Sequence, residues 1–193
     1  MKILVVYGTS EGQTAKVATV MTERFRASGH EPTLIDVKRL PIGFNVRDFD
    51  AAVVAARVHA GRYPRRIANF VRANRAALEA MPNAFVSVSM SAAKLVPGDE
   101  GRIAKYADDF IALSGWAPNR IFQVAGARFY TRHNRVTRWI LGLVDQHRYD
   151  TSRDHEWTDW ASVKRYADEC IVAFGGFRPI PSAQPPADLA TMP

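Results

Sequence analysis

Cysteine is almost absent: Cys170 is the single one among 193 residues. That excludes a disulfide framework and a multi-cysteine metal site, and it suits a reducing compartment. Long apolar runs are missing as well, since none approaches the roughly 18–20 residues that span a bilayer. The run Ile3–Tyr7 after Met1–Lys2 is too short for a secretory signal and has no small-residue cleavage site. The expected location is therefore cytoplasmic, peripheral on the inner face of the cell membrane. There is no G-x-G-x-x-G and no Walker lysine, which disfavours a dinucleotide or a nucleoside triphosphate. His30, His133, His147 and His155 lack metal-ligand spacing supported by carboxylates, so no metal is expected. Acidic residues are in deficit. Asp+Glu number 19 against 26 Lys+Arg, a net charge of +7, which asks for an anionic partner.

What is present reads as one domain with a real core: 47% hydrophobic and 23% charged residues are globular proportions. Lys2–Tyr7 is a continuous β-branched run, the pattern of a strand buried on both faces. Pro32–Val37, Ala51–Ala56, Ala84–Ser89 and Arg120–Ala125 are further strand candidates. Between them lie helical stretches: Gln13–Ser28, stopped by Gly29; Asn69–Ala80, ended by Pro82; and Glu100–Ser114, closed by Gly115. A last helix places Trp160, Val163, Ala167, Cys170, Ile171 and Phe174 on one face before Gly175-Gly176. Strand–helix alternation of this kind predicts a flavodoxin-like, doubly wound, five-stranded parallel sheet of the α/β class. The expected domain is 1–175, with a long helical insertion at 128–157 after the fifth strand and a Pro-rich disordered tail at 176–193.

The chemistry-bearing segment is Thr9-Ser-Glu-Gly-Gln-Thr14, directly after the first strand and opening the first helix. Hydroxyls at Thr9, Ser10 and Thr14 and a flexible Gly12 let backbone N–H groups wrap a phosphate at the positive end of the helix. The plain alternative is a helix cap made by Thr9 or Ser10. Ligands in such a sheet lie beyond the carboxyl ends of the strands. The loops placed there are Arg57–Tyr63 and Met90–Lys94, with small residues for a flat ring and His59, Arg62 and Lys94 for a ring or an anion. Cys170, Trp116, Trp157 and Trp160 are expected to pack, and Asp154-His155-Glu156 reads as a charged loop.

Over residues 1–174 the chain resembles the flavodoxin-like, menaquinone-dependent protoporphyrinogen IX dehydrogenases of bacterial haem synthesis. The resemblance rests on the phosphate loop, on His59-Ala-Gly-Arg-Tyr63, on Met81-Pro-Asn-Ala-Phe85 leading into Ser87-Val-Ser89, and on Ala125-Gly-Ala-Arg128. The long basic insertion followed by Trp157-Thr-Asp-Trp160 sets it apart from electron-carrier flavodoxins. The chain departs from the pattern at His59, where arginine is expected, at Ala60, where an aromatic would stack on the flavin, and over Lys94–Glu100. The resemblance implies bound FMN, oxidation of protoporphyrinogen IX, and electrons passed to a respiratory quinone, menaquinone or ubiquinone. It implies FMN contacts from Thr9, Ser10, Glu11, Gly12, Gln13 and Thr14, from His59, Ala60 and Gly61, and from Ser87, Val88, Ser89, Met90, Ser91, Ala92, Ala93 and Lys94. Arg62, Arg128 and Arg132 are the candidates for the substrate's carboxylates, which guanidinium matches bidentately. No side chain need act as a nucleophile, and no catalytic residue is assigned. The alternatives are an FMN-binding NAD(P)H:quinone reductase and a non-catalytic electron carrier of the flavodoxin type.

The insertion explains the charge. Arg128–Arg153 holds six arginines against Asp145 and Asp150, so +4 of the +7 lies there. Val136, Trp139, Ile140, Leu143 and Val144 fall on one helical face. A basic amphipathic helix over 132–147 suits a membrane surface, with a homo-oligomer contact or packing on the domain itself as the other uses of that face. Nucleic acid is not expected, because charge is its only support.

Overall fold

The computed structural model of the chain describes residues 1–9, 12–128 and 155–177. The predicted helix within 132–147 and the tail beyond Phe177 lie outside the described residues.

Five parallel strands form one sheet: β1 (Lys2–Gly8), β2 (Glu31–Asp36), β3 (Ala51–Arg57), β4 (Asn83–Ser89) and β5 (Ile121–Ala125). Their order is β2-β1-β3-β4-β5, as the alternating pattern predicts. The continuous apolar runs follow from burial on both faces, because successive side chains of a strand point to opposite sides. In β1, Leu4 and Val6 join one core layer while Ile3 and Val5 join the other. Ala52, Val54 and Phe85 continue the first layer, and Val53, Ala84 and Val86 the second.

Helices cover both faces. Helix α1 (Gln13–Ala27) buries Val17, Met21 and Phe25 beside Val163, Ala167, Cys170 and Phe174 of the last helix, α5 (Trp160–Gly175). Cys170 is a core residue, and burial pushes its thiol up to about 12. On the other face lie α2 (Arg65–Ala73), α3 (Arg75–Glu79) and α4 (Asp99–Ser114), the last ending at Gly115 as expected. Trp116 is fully buried there with Phe85, Phe110 and Tyr63. None of the described helices is long and apolar enough to cross a membrane.

Two segments differ from the sequence expectation. The helix placed at Asn69–Ala80 begins earlier, at Arg65, and breaks at Asn74. Asn74 leaves helical geometry (φ −112°, ψ 13°) while its Nδ2 donates back to the Phe70 carbonyl at 2.9 Å, the local competition that makes Asn a poor interior helix residue. Second, His155–Glu156 is not a loop. It forms β7, antiparallel to β6 (Ala127–Arg128). This two-strand ribbon is the neck from which segment 129–154 departs.

Candidate functional site

The reversal of strand order beside β1 opens a crevice at the carboxyl end of the sheet. Gln13 and Thr14 of α1 line it, with Arg57 and Val58 after β3, Val88, Ser89 and Met90 at the end of β4, and Gly126 and Ala127 at the neck.

The first turn of α1 has no side-chain cap. Its N-cap is Gly12, at φ +94°, a left-handed conformation in which a Cβ is strained. Thr9 Oγ1 caps nothing in the helix; it accepts the Gly12 N–H at 3.0 Å and closes the loop. The first turn carries no acidic residue, so its free N–H groups and the helix dipole present positive potential. Within that turn Thr14 is fully buried, and its hydroxyl has no hydrogen-bond partner among the described residues. A buried unpaired hydroxyl is costly, and its position at an uncapped helix start is what a bound phosphate would satisfy. Gln13, also buried, donates through Nε2 to Thr158 Oγ1 at 2.7 Å and to Glu156 Oε1 at 3.1 Å, while its Oε1 has no partner among the described residues. Lys38 Nζ reaches the Thr9 carbonyl at 2.7 Å and adds a positive charge beside the loop.

The other sequence-named residues divide. Ser10 and Glu11 lie outside the described residues, as does Arg132. Val88, Ser89 and Met90 line the crevice. Ser89 Oγ accepts the Ala92 N–H at 3.2 Å beside the short 3₁₀ turn Ser91–Ala93. Ser87 is buried deeper in β4, and its hydroxyl pairs with the Tyr63 phenol at 2.8 Å. His59, Ala60, Gly61 and Arg62 form a tight exposed hairpin turn closed by reciprocal His59–Arg62 backbone bonds of 2.8 and 3.0 Å. Ala60 (φ 47°) and Gly61 (φ 74°) both sit at positive φ, the requirement of a type I′ turn. A bulky aromatic at position 60 would be strained there, which accounts for the small residue. His59 Nδ1 lies 3.0 Å from Arg57 Nη2. Arg128 supplies backbone to the neck. Arg57 and Val58 open the Arg57–Tyr63 loop that the sequence placed at the carboxyl ends, whereas Gly126 and Ala127 entered only as part of the Ala125–Arg128 motif and not as site residues; Gly126, small and directly after a strand, carried the available signal.

Lys94, in left-handed geometry (φ 53°), turns its ammonium to Glu100 at 2.9 Å. Next to it the buried Asp99 accepts from the Val96 N–H (3.1 Å) and Arg102 Nη1 (2.7 Å). Burial works to raise the Asp99 pKa, but these bonds outweigh it and hold the carboxyl below its ordinary value. A depressed folded-state value means that its stabilisation is complete above the unfolded value, about 3.9, and is lost as pH falls through the folded one. The stability gap between wild type and Asp99→Asn is therefore expected to stay flat above about pH 5 and to close below it, as urea melts across acid pH will show.

The flavodoxin domain family model matches residues 4–154, most of the chain. The chain belongs to that family. Among curated relatives, protoporphyrinogen IX dehydrogenase [quinone] of Escherichia coli K12 is 29% identical over 175 residues, 88% of this chain and 94% of the relative. The Leishmania major protein of the same name is 29% identical over 191 residues, 96% of this chain and 78% of that one. The resemblance read from the motifs is thus borne out. Solved structures agree on the fold. Oxidised flavodoxin 1 from Bacillus cereus superposes with TM-score 0.55 at 14% identity, covering 89% of this chain and 98% of that one. A mutant flavodoxin from Pseudomonas aeruginosa gives 0.55 at 13% identity, covering 91% and 100%.

Proposed function

We propose that this flavodoxin-family chain is an FMN-dependent protoporphyrinogen IX dehydrogenase that hands electrons to a respiratory quinone, menaquinone or ubiquinone, in haem synthesis. The observation that carries the reading is the uncapped α1 start with its unpaired, buried Thr14 hydroxyl, in a chain whose relatives bear that enzyme's name along 88% of its length. The residues present fit a flavin phosphate: hydroxyl and N–H donors, positive helix potential and no acid in the first turn.

In this reading Thr9 to Thr14 hold the phosphate, with Ser10 and Glu11 completing the loop. Arg57, Val58, Met90, Gly126 and Ala127 flank the ring, beside the His59–Gly61 turn and the Ser87–Lys94 segment. Bound FMN would supply the two-electron chemistry. The chain's own contribution is orientation, exclusion of water by the β4 and neck walls, and a positive rim. Arg62, Arg128 and Arg132 would take the carboxylates of the macrocycle. A membrane surface met through 132–147 would bring the apolar substrate and a lipid-soluble acceptor to the same side of the molecule. The protein would then be cytoplasmic and peripheral on the inner membrane face, as a monomer or a homo-oligomer, with the fold contained in 1–175.

One anaerobic assay tests this. FMN-loaded protein mixed with protoporphyrinogen IX and a menaquinone analogue should produce porphyrin fluorescence, and omitting either FMN or quinone should abolish it. Turnover of NAD(P)H with quinone but not of the porphyrinogen would mark a quinone reductase instead. A protein that takes up no flavin would end the reading altogether.

A further inference from the structure

Thr158 lies outside every loop that faces the candidate phosphate, yet it is buried and hydrogen-bonded on both sides. Its hydroxyl accepts from Gln13 Nε2 at 2.7 Å and donates to the Ala125 carbonyl at 2.7 Å. Ala125 is the last residue of β5, and Gln13 is the first of α1. The adjoining neck is closed by the Trp157 N–H on the Gly126 carbonyl at 3.1 Å, and Gly126 N–H in turn donates to Ser89 O at 3.0 Å. The second hydrogen of Gln13 Nε2 goes to Glu156 Oε1 at 3.1 Å, while Glu156 Oε2 lies 3.7 Å from Lys16 Nζ. One hydroxyl therefore joins the end of β5, the root of the long insertion and the first turn of α1.

We infer that Thr158 is a positioning residue, which through Gln13 sets the first turn of α1 against the carboxyl end of the sheet and so pre-forms the phosphate cradle. The inference rests on the flavin reading above. Its physical content is preorganisation. The N–H groups of Gln13 and Thr14 are useful to an anion only when aimed at it before binding. The Gln13 side chain, occupied by the neck, holds that turn without an N-cap. Removing the hydroxyl leaves a buried donor on Gln13 short of a partner and a partly buried carbonyl on Ala125 short of a donor.

The test titrates FMN and riboflavin into flavin-free, full-length protein, following quenching of flavin fluorescence. Riboflavin keeps the ring and ribityl chain and lacks the phosphate. Thr158→Val is expected to weaken FMN about tenfold while leaving riboflavin within about twofold, and Thr158→Ser to restore the wild-type preference. Equal weakening of both flavins, or of neither, overturns the inference, because a merely structural role moves both together. If Thr158→Val does not fold by circular dichroism, the exposed Glu156→Ala takes its place, with an expected loss of about threefold for FMN alone; an unchanged FMN preference there also overturns it. A wild-type protein that binds neither flavin would sink the flavin reading itself, a different outcome from a variant that binds FMN as the wild type does.

Discussion

Phe85→Ala is expected to lower the unfolding free energy by about 3–5 kcal/mol, the range for removing a fully buried phenylalanine. Phe85 is 0% exposed at the centre of β4. Its ring stacks on Phe110 at 4.2 Å with an interplanar angle of 2°, and it meets Trp116 edge-on at 6.3 Å and Tyr63 at 5.5 Å. Those neighbours come from a loop, a helix and the segment after that helix, so no single backbone movement closes the hole. A domain stable by about 5–15 kcal/mol would keep only a fraction of its margin. The urea midpoint should fall with an unchanged slope. Tyr63 supplies a second readout. Burial holds its phenol up to about 12, partly offset by the bond to Ser87. Water entering the cavity should bring its ultraviolet titration down toward the ordinary value, about 10. A cost below about 1 kcal/mol would mean that the aromatic cluster is redundant.

That cluster also marks where sequence reasoning reached and where it stopped. The β-branched runs and the four-residue spacing of Val17, Met21 and Phe25 are local signals, and the strands and α1 followed them closely. The loop proposed to hold the phosphate stood out because it combines a strand end, small or hydroxyl residues and a helix start. Ser87 differs from its strand neighbours in depth. A strand offers only its terminal residues to a site beyond its end, and two residues earlier the hydroxyl already belongs to Tyr63 in the core. The neck ribbon was illegible because its pairs, Ala127 with Glu156 and Arg128 with His155, are brought together across the insertion; neither half has a strand pattern of its own. Gln13 was named as a ligand-loop residue, but nothing local revealed that its amide is committed to Thr158. The break at Asn74 turns on a single side-chain bond to Phe70, below the resolution of any periodicity.

Thr14→Val separates what the site costs from what it does. The valine fills nearly the same volume, and the hydroxyl it removes is buried without a partner among the described residues. An unpaired buried polar group is a penalty, so flavin-free Thr14→Val should be as stable as wild type or more so, by up to about 1 kcal/mol. With FMN the sign reverses. A hydroxyl donating to a charged phosphate is worth about 1.5–3 kcal/mol, so FMN affinity should fall by about 10–150-fold. Riboflavin, having no phosphate, should lose little. Thermal melts without flavin, paired with fluorescence titrations of both ligands, check the two halves independently. The coupling matters for the reading of the whole fold: by linkage, bound FMN would stabilise wild type with the logarithm of its concentration over Kd, and at the same FMN concentration the variant should gain correspondingly less. If Thr14→Val instead destabilised the flavin-free protein and left FMN affinity intact, the hydroxyl would be a packing element and the phosphate would have to lie elsewhere along the loop.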